Sequence, residues 1–182
     1  KKVIEDQQIE HVLVFTRTKR GADRVARDLT KSGIKAEAIH GDKSQTARQR
    51  ALQGFKDRKL RVLVATDIAA RGIDVTQLSH VINFEIPEVA ETYVHRIGRT
   101  GRAGASGIAL TFCSPDEADY LKDIQKLIRK NLQSVPLPEL PPAPPRAEVP
   151  ASGQGRNHGA PRSGPGKPRR SGAPSYARSR KA

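Results

Sequence analysis

The sequence predicts an α/β domain, a mostly parallel sheet flanked by helices, followed by a basic tail with no packed core. Three observations carry this. Up to about Lys130, short apolar runs rich in β-branched residues alternate with amphipathic stretches of helical period. Strands alternating with helices pair in parallel and need cover on both faces. Beyond Lys130 come 11 of the 13 prolines, and apolar residues become sparse.

The elements follow in order. HVLVF (residues 11–15) is too short for a helix and reads as a buried strand. Ala22, Val25, Ala26 and Leu29 then recur at i, i+3, i+4 and i+7, giving a helix that stops at Gly33. AEAI (36–39) is a second strand. Ser44 opens a helix with Ala47, Ala51, Leu52 and Phe55 inward. RVLVA (61–65), HVINF (80–84) and GIALTF (107–112) are further strands. The last helix opens with Ser114 as N-cap, Pro115 at the first position and Glu117 completing a capping box. It runs to about Lys130 with Leu121, Ile124, Leu127 and Ile128 facing the core. The domain is assigned to residues 1–132. Residues 133–182 read as a stiff proline-rich spacer and a disordered basic arm of Arg, Gly, Ser and Pro.

Lys and Arg outnumber Asp and Glu by 33 to 19, which points to a polyanionic partner. Half of the excess falls in residues 131–182, where nine bases meet two acids. A single cysteine, Cys113, allows no internal disulfide and fits a reducing compartment, so the expected location is the cytoplasm. No apolar run approaches the length of a membrane span, so no membrane partner is expected. Methionine is absent even from position 1, which suggests a piece of a longer protein.

In open α/β sheets, ligands bind beyond the carboxyl ends of the strands. Three segments there, TRTK (16–19), HGD (40–42) and TDIAARGID (66–74), are rich in hydroxyls, glycine and charge. Elsewhere, HRIGRTGRAG (95–104) repeats Arg96, Arg99 and Arg102 every third residue, with Gly98, Gly101 and Gly104 in step. Its glycines do not fit the dinucleotide pattern G-x-G-x-x-G, and no G-x-x-x-x-G-K-[ST] loop is present to grip a nucleotide's phosphates.

VLVFTRTKRGAD, HGDKSQTARQRAL, VLVATDIAARGIDV and YVHRIGRTGRAG, in that order, resemble motifs IV, IVa, V and VI of the DEAD-box RNA helicases. The resemblance covers roughly residues 11–130 and looks closest to the bacterial RhlE type. It implies the second RecA-like domain of an ATP-dependent helicase. The partner domain would supply the phosphate-gripping loop and hold Mg²⁺, and the two would close over ATP. This chain alone is expected to be inactive.

The resemblance also distributes roles. Arg99 and Arg102 match the arginine fingers that reach the γ-phosphate, where positive charge on developing oxyanions is worth about 10³–10⁵ in rate. His95 and Arg96 match positions that couple the ATP state to the domain interface. Asp74 matches the carboxylate on the ATP ribose, with Gly72 allowing close approach. Arg71 either bridges to the other domain or pairs with Asp67 or Asp74. For RNA the match points to Thr18, Gly41, Gln45, Arg48 and Thr66, with Asp42 and Asp67 supporting their loops; Thr66 and Gln45 could equally be helix caps. Such groups suit phosphate and 2′-OH contacts and carry little sequence preference. Glu85 stands where many members have Asp, a change expected to be silent.

The expected partners are RNA and the chain's own N-terminal RecA-like domain, while ribosomal or RNA-degradation partners stay open. One alternative is an RNA-binding or annealing module working through the tail, with Arg156, Arg162, Lys167, Arg169, Arg170, Arg178, Arg180 and Lys181 on phosphates and Tyr176 on a base. Another is the corresponding half of a DNA helicase.

Overall fold

Five strands form one sheet in the order β2-β3-β1-β4-β5, every neighbouring pair parallel. They are β1 (Val12–Thr16), β2 (Ala36–Ile39), β3 (Val62–Thr66), β4 (His80–Asn83) and β5 (Ile108–Thr111). The computed structural model describes residues 1–71, 73, 75, 78–101 and 107–136. Each strand lies within one residue of its sequence expectation, and the sheet is wholly parallel.

The central strands β1 and β3 are buried along their whole length, as strands covered on both faces must be. Alternate residues separate the two faces. Leu13, Phe15, Leu63, Ala65 and Val81 join a cluster with Ala51 and Phe55 of α3 (Gln45–Lys56) and with Ala69 and Ala70 of α4 (Asp67–Ala70). Val12, Val14, Val62, Val64 and Ile82 pack against Ala22, Ala26 and Leu29 of α2 (Lys19–Lys31). Phe55 is fully buried, and its truncation to alanine would cost about 3–5 kcal/mol. A third cluster joins Tyr93 of α5 (Ala90–Ile97), Ile86 and Ile124 of α6 (Ala118–Ile128).

The punctuation works as read. Gly33 ends α2 at φ +84°, a conformation side chains disfavour. Ser44 caps α3 by accepting from the Ala47 N–H at 3.2 Å. Ser114 and Glu117 form their capping box, but the first turn, Pro115–Glu117, is 3₁₀ and α6 follows it. Leu127, expected inward, is 44% exposed, because the helix turns Tyr120, Leu121, Ile124 and Ile128 toward its neighbours instead.

Three helices lacked a clear signal. The one-turn α1 (Lys2–Asp6) is held by Arg61, whose Nε donates to the Ile9 carbonyl at 2.6 Å and whose other arm reaches Ile4 at 3.3 Å. The α4 turn lies inside a segment read as a loop, and α5 lies under the arginine repeat.

Candidate functional site

β2 and β3 lie to one side of β1, β4 and β5 to the other, so the connections change direction at β1. The loops at the carboxyl ends of β1, β2, β3 and β4 therefore meet around one edge.

On the β2 side, the buried Thr16 donates to the Thr18 carbonyl at 3.2 Å. Thr18 caps α2, its hydroxyl accepting from the Gly21 N–H at 3.0 Å. Lys19 donates to Asp42 at 2.5 Å, tying the loop after β1 to the loop after β2. That hydrogen bond holds the Asp42 carboxyl below its ordinary range. Gly41 is exposed, and an added Cβ would meet only the Lys19 side chain, at 3.6 Å and beyond. The fold itself leaves room for a side chain there; its lack leaves the backbone bare to a ligand.

His40 shapes this loop from beneath. Its ring is 3% exposed, and Nδ1 accepts from the Asp42 N–H at 3.3 Å, which places the proton of the neutral ring on Nε2. Nε2 lies 3.0 Å from Asp23 Oδ2, although poorly aligned for a hydrogen bond. Lys43 holds the other Asp23 oxygen at 2.9 Å. Burial alone would raise the Asp23 pKa, but Lys43 and the close His40 ring outweigh it and lower the value. Gln45 is the first residue of α3, with Ser44 as the cap, and accepts from Arg48 at 3.3 Å. Arg48 is half-buried, and its Nε finds no partner among the described residues.

Beyond β3 and β4 lies a group of arginines. Arg96 is 1% exposed. It meets both oxygens of Asp67, at 2.6 and 2.8 Å, the Glu85 carbonyl at 2.8 Å and Asn83 at 3.4 Å, and it lies over the Phe15 ring. The resemblance gave Arg96 a role coupling the ATP state to the domain interface; in this fold its guanidinium is directed inward and engaged by Asp67 and the Glu85 carbonyl. Asp67, a candidate partner for Arg71, is thereby taken. Arg71 is exposed and pairs with no carboxylate among the described residues.

Arg99 differs from Arg96. It is half-buried and meets no carboxylate among the described residues; it donates to the Ile73 carbonyl at 2.9 Å and the Ala70 carbonyl at 3.4 Å. Phe15, Asp67, Arg71, His95, Arg96 and Arg99 share a cleft of about 80 Å³. His95 is exposed at its rim. Thr66, 7% exposed, stands at the N-cap of α4 without a side-chain capping bond. Gly72, Asp74 and Arg102 lie outside the described residues, as do residues 137–182 of the tail.

Sequence reasoning missed the braces of this edge. Arg17 donates its backbone N–H to Glu85 at 2.6 Å and pairs through its guanidinium with the buried Glu117 at 2.8 Å. The Glu85 exchange read as silent is thus a structural contact.

The family described as helicase conserved C-terminal domain matches residues 1–104. The ATP-dependent RNA helicase CshA of Limosilactobacillus reuteri is 45% identical over 153 residues, 84% of this chain and 29% of that protein. A DEAD box protein from the hyperthermophile Methanococcus jannaschii superposes with a TM-score of 0.67 at 42% identity, over 71% of this chain and 36% of that one. The E. coli DEAD-box protein SrmB, bound to regulator of ribonuclease activity A, superposes with a TM-score of 0.67 at 31% identity, over 75% of this chain and 80% of that one. The chain belongs to the DEAD-box helicases. Within that family it is the helicase C-terminal, RecA-like domain, and it spans 26–29% of the length of curated relatives such as the CshA proteins.

Proposed function

We propose that this DEAD-box domain supplies the arginine fingers and half of the RNA track of an ATP-driven, sequence-nonspecific RNA-unwinding enzyme. One observation carries the reading. Arg99 offers a guanidinium in an open cleft where, among the described residues, only carbonyl oxygens hold it, while the neighbouring Arg96 is internally neutralised by Asp67. A guanidinium without a carboxylate partner suits the phosphate oxygens of a nucleotide presented from a second domain. Arg102 would act beside it and His95 at the rim. Gly72 and Asp74 would meet the ribose, and Mg²⁺ would be held by the partner domain. ATP, when bound, supplies the phosphoryl group whose transfer drives the cycle.

Thr18, Gly41, Asp42, Gln45, Arg48 and Thr66 would form the RNA track. Bare backbone at Gly41, the Thr66 hydroxyl that makes no capping bond and the Arg48 Nε, unpartnered among the described residues, support this assignment. The RhlE type within the family rests on the motifs and the basic tail. The tail would tether RNA without reading sequence, and the working place would be the cytoplasm.

The test is complementation. Fused to a DEAD-box N-terminal half, the chain should give ATP hydrolysis that rises with single-stranded RNA and less with DNA of the same sequence, and the chain alone should give none. Equal stimulation by DNA would reassign the substrate, and no hydrolysis by a folded fusion would overturn the reading.

A further inference from the structure

The outer face of α2 carries charge that the motif residues do not use. Arg20, Arg24, Arg27 and Lys31 stand at i, i+4, i+7 and i+11, within an arc of roughly 60° at 100° per residue. All four are exposed, and among the described residues none has an ion-pair partner. Neighbours are about 5–6 Å apart, and the stripe runs about 16 Å along the helix. The nearby carboxylates leave it uncompensated. Asp23 is occupied by Lys43 and His40, and Asp28 beside the stripe pairs with none of the four.

Helix stability does not account for this pattern. Cations favour the last turn, which explains Lys31 alone, whereas Lys19 and Arg20 stand in a first turn that has no acid. The stripe also continues from the candidate RNA edge: Thr18 caps this helix, and Lys19 is tied to Asp42.

We propose that the α2 stripe is a second phosphate-binding surface, carrying an RNA strand away from the edge at Thr18 down the side of the domain. It rests on the RNA reading above. Three of its four cations are arginine, whose planar fork grips phosphate in two places. No large apolar side chain is exposed on α2 to anchor a peptide, so the favoured partner is a phosphodiester chain bound without regard to sequence.

The full chain is titrated with labelled RNAs of about six and about twenty nucleotides between about 50 and 200 mM salt. The variant is Arg24→Ala/Arg27→Ala/Lys31→Ala, at exposed positions where alanine keeps the helix. The longer RNA should bind the variant at least about tenfold more weakly, with a salt slope shallower by about 2, and the short RNA should bind unchanged. Unchanged affinity and slope for the long RNA, with the short RNA still bound, would overturn the stripe and leave the edge reading intact. If the unaltered chain bound neither RNA, both would fall. Displacement of RNA by polyglutamate as effectively as by unlabelled RNA would assign the stripe to acidic polypeptides and overturn the proposal.

Discussion

Asp67 and Arg96, 29 positions apart, form a two-armed ion pair whose guanidinium is sealed from solvent while its carboxylate keeps an open edge. The pair fixes α5 against the turn after β3 and so places Arg99 one helical turn further on. Removing Asp67 alone leaves a buried charge. Asp67→Ala should lower stability in urea unfolding by about 3 kcal/mol, and Asp67→Ala/Arg96→Met should recover much of it. Equal losses for single and double variants would mean that the pair is not the unit of stability.

Glu85 should be sensitive to the loss of one methylene. Glu85→Asp withdraws the carboxylate from the Arg17 N–H, now at 2.6 Å, and should cost about 1 kcal/mol. Hydrogen exchange at the Arg17 amide would report it directly, by faster exchange than in the unaltered chain.

Gly41 separates folding from binding. The nearest atoms to an added Cβ are 3.6 and 3.7 Å away on a flexible lysine, so Gly41→Ala should leave stability within about 0.5 kcal/mol. RNA affinity should nonetheless fall several-fold, measured by anisotropy in the fused two-domain protein.

Acid should weaken the fold through histidine before it reaches the carboxylates. Burial holds His11 and His80 below their ordinary 6.5. The unfolded chain therefore binds protons that the folded chain refuses, so their contribution is complete above about pH 6.5 and declines as pH falls through and below it. The lowered Asp23 and Asp42 add a second loss at more acidic pH, below their ordinary 3.8. The melting temperature should fall between pH 7 and 5, less so in His11→Gln, which removes the titrating ring that stacks on Phe55.

The sheet was legible because β1 and β3 are buried on both faces, which forces unbroken apolar runs in sequence. The helices α2 and α3 were legible from period and caps. By contrast, α4 has only four residues, too few for a period, and α5 was obscured by the glycines that follow it. The candidate residues were recognised through the motifs, but their division of labour was not. HRIGRTGRAG gives no sign that Arg96 faces inward and Arg99 a cleft, because that depends on Asp67 and Phe15, brought in by other strands. The Arg17–Glu117 brace is invisible for the same reason: its partners lie far apart in sequence.

The most direct measurement is RNA-stimulated ATP hydrolysis by the fused two-domain protein with and without Arg99→Ala. Among the described residues Arg99 is held only by the Ala70 and Ile73 carbonyls, so its truncation should leave folding and ATP binding nearly unchanged while the rate falls by about 10³-fold. A rate within about threefold of the unaltered protein would contradict the assignment of Arg99 as an arginine finger.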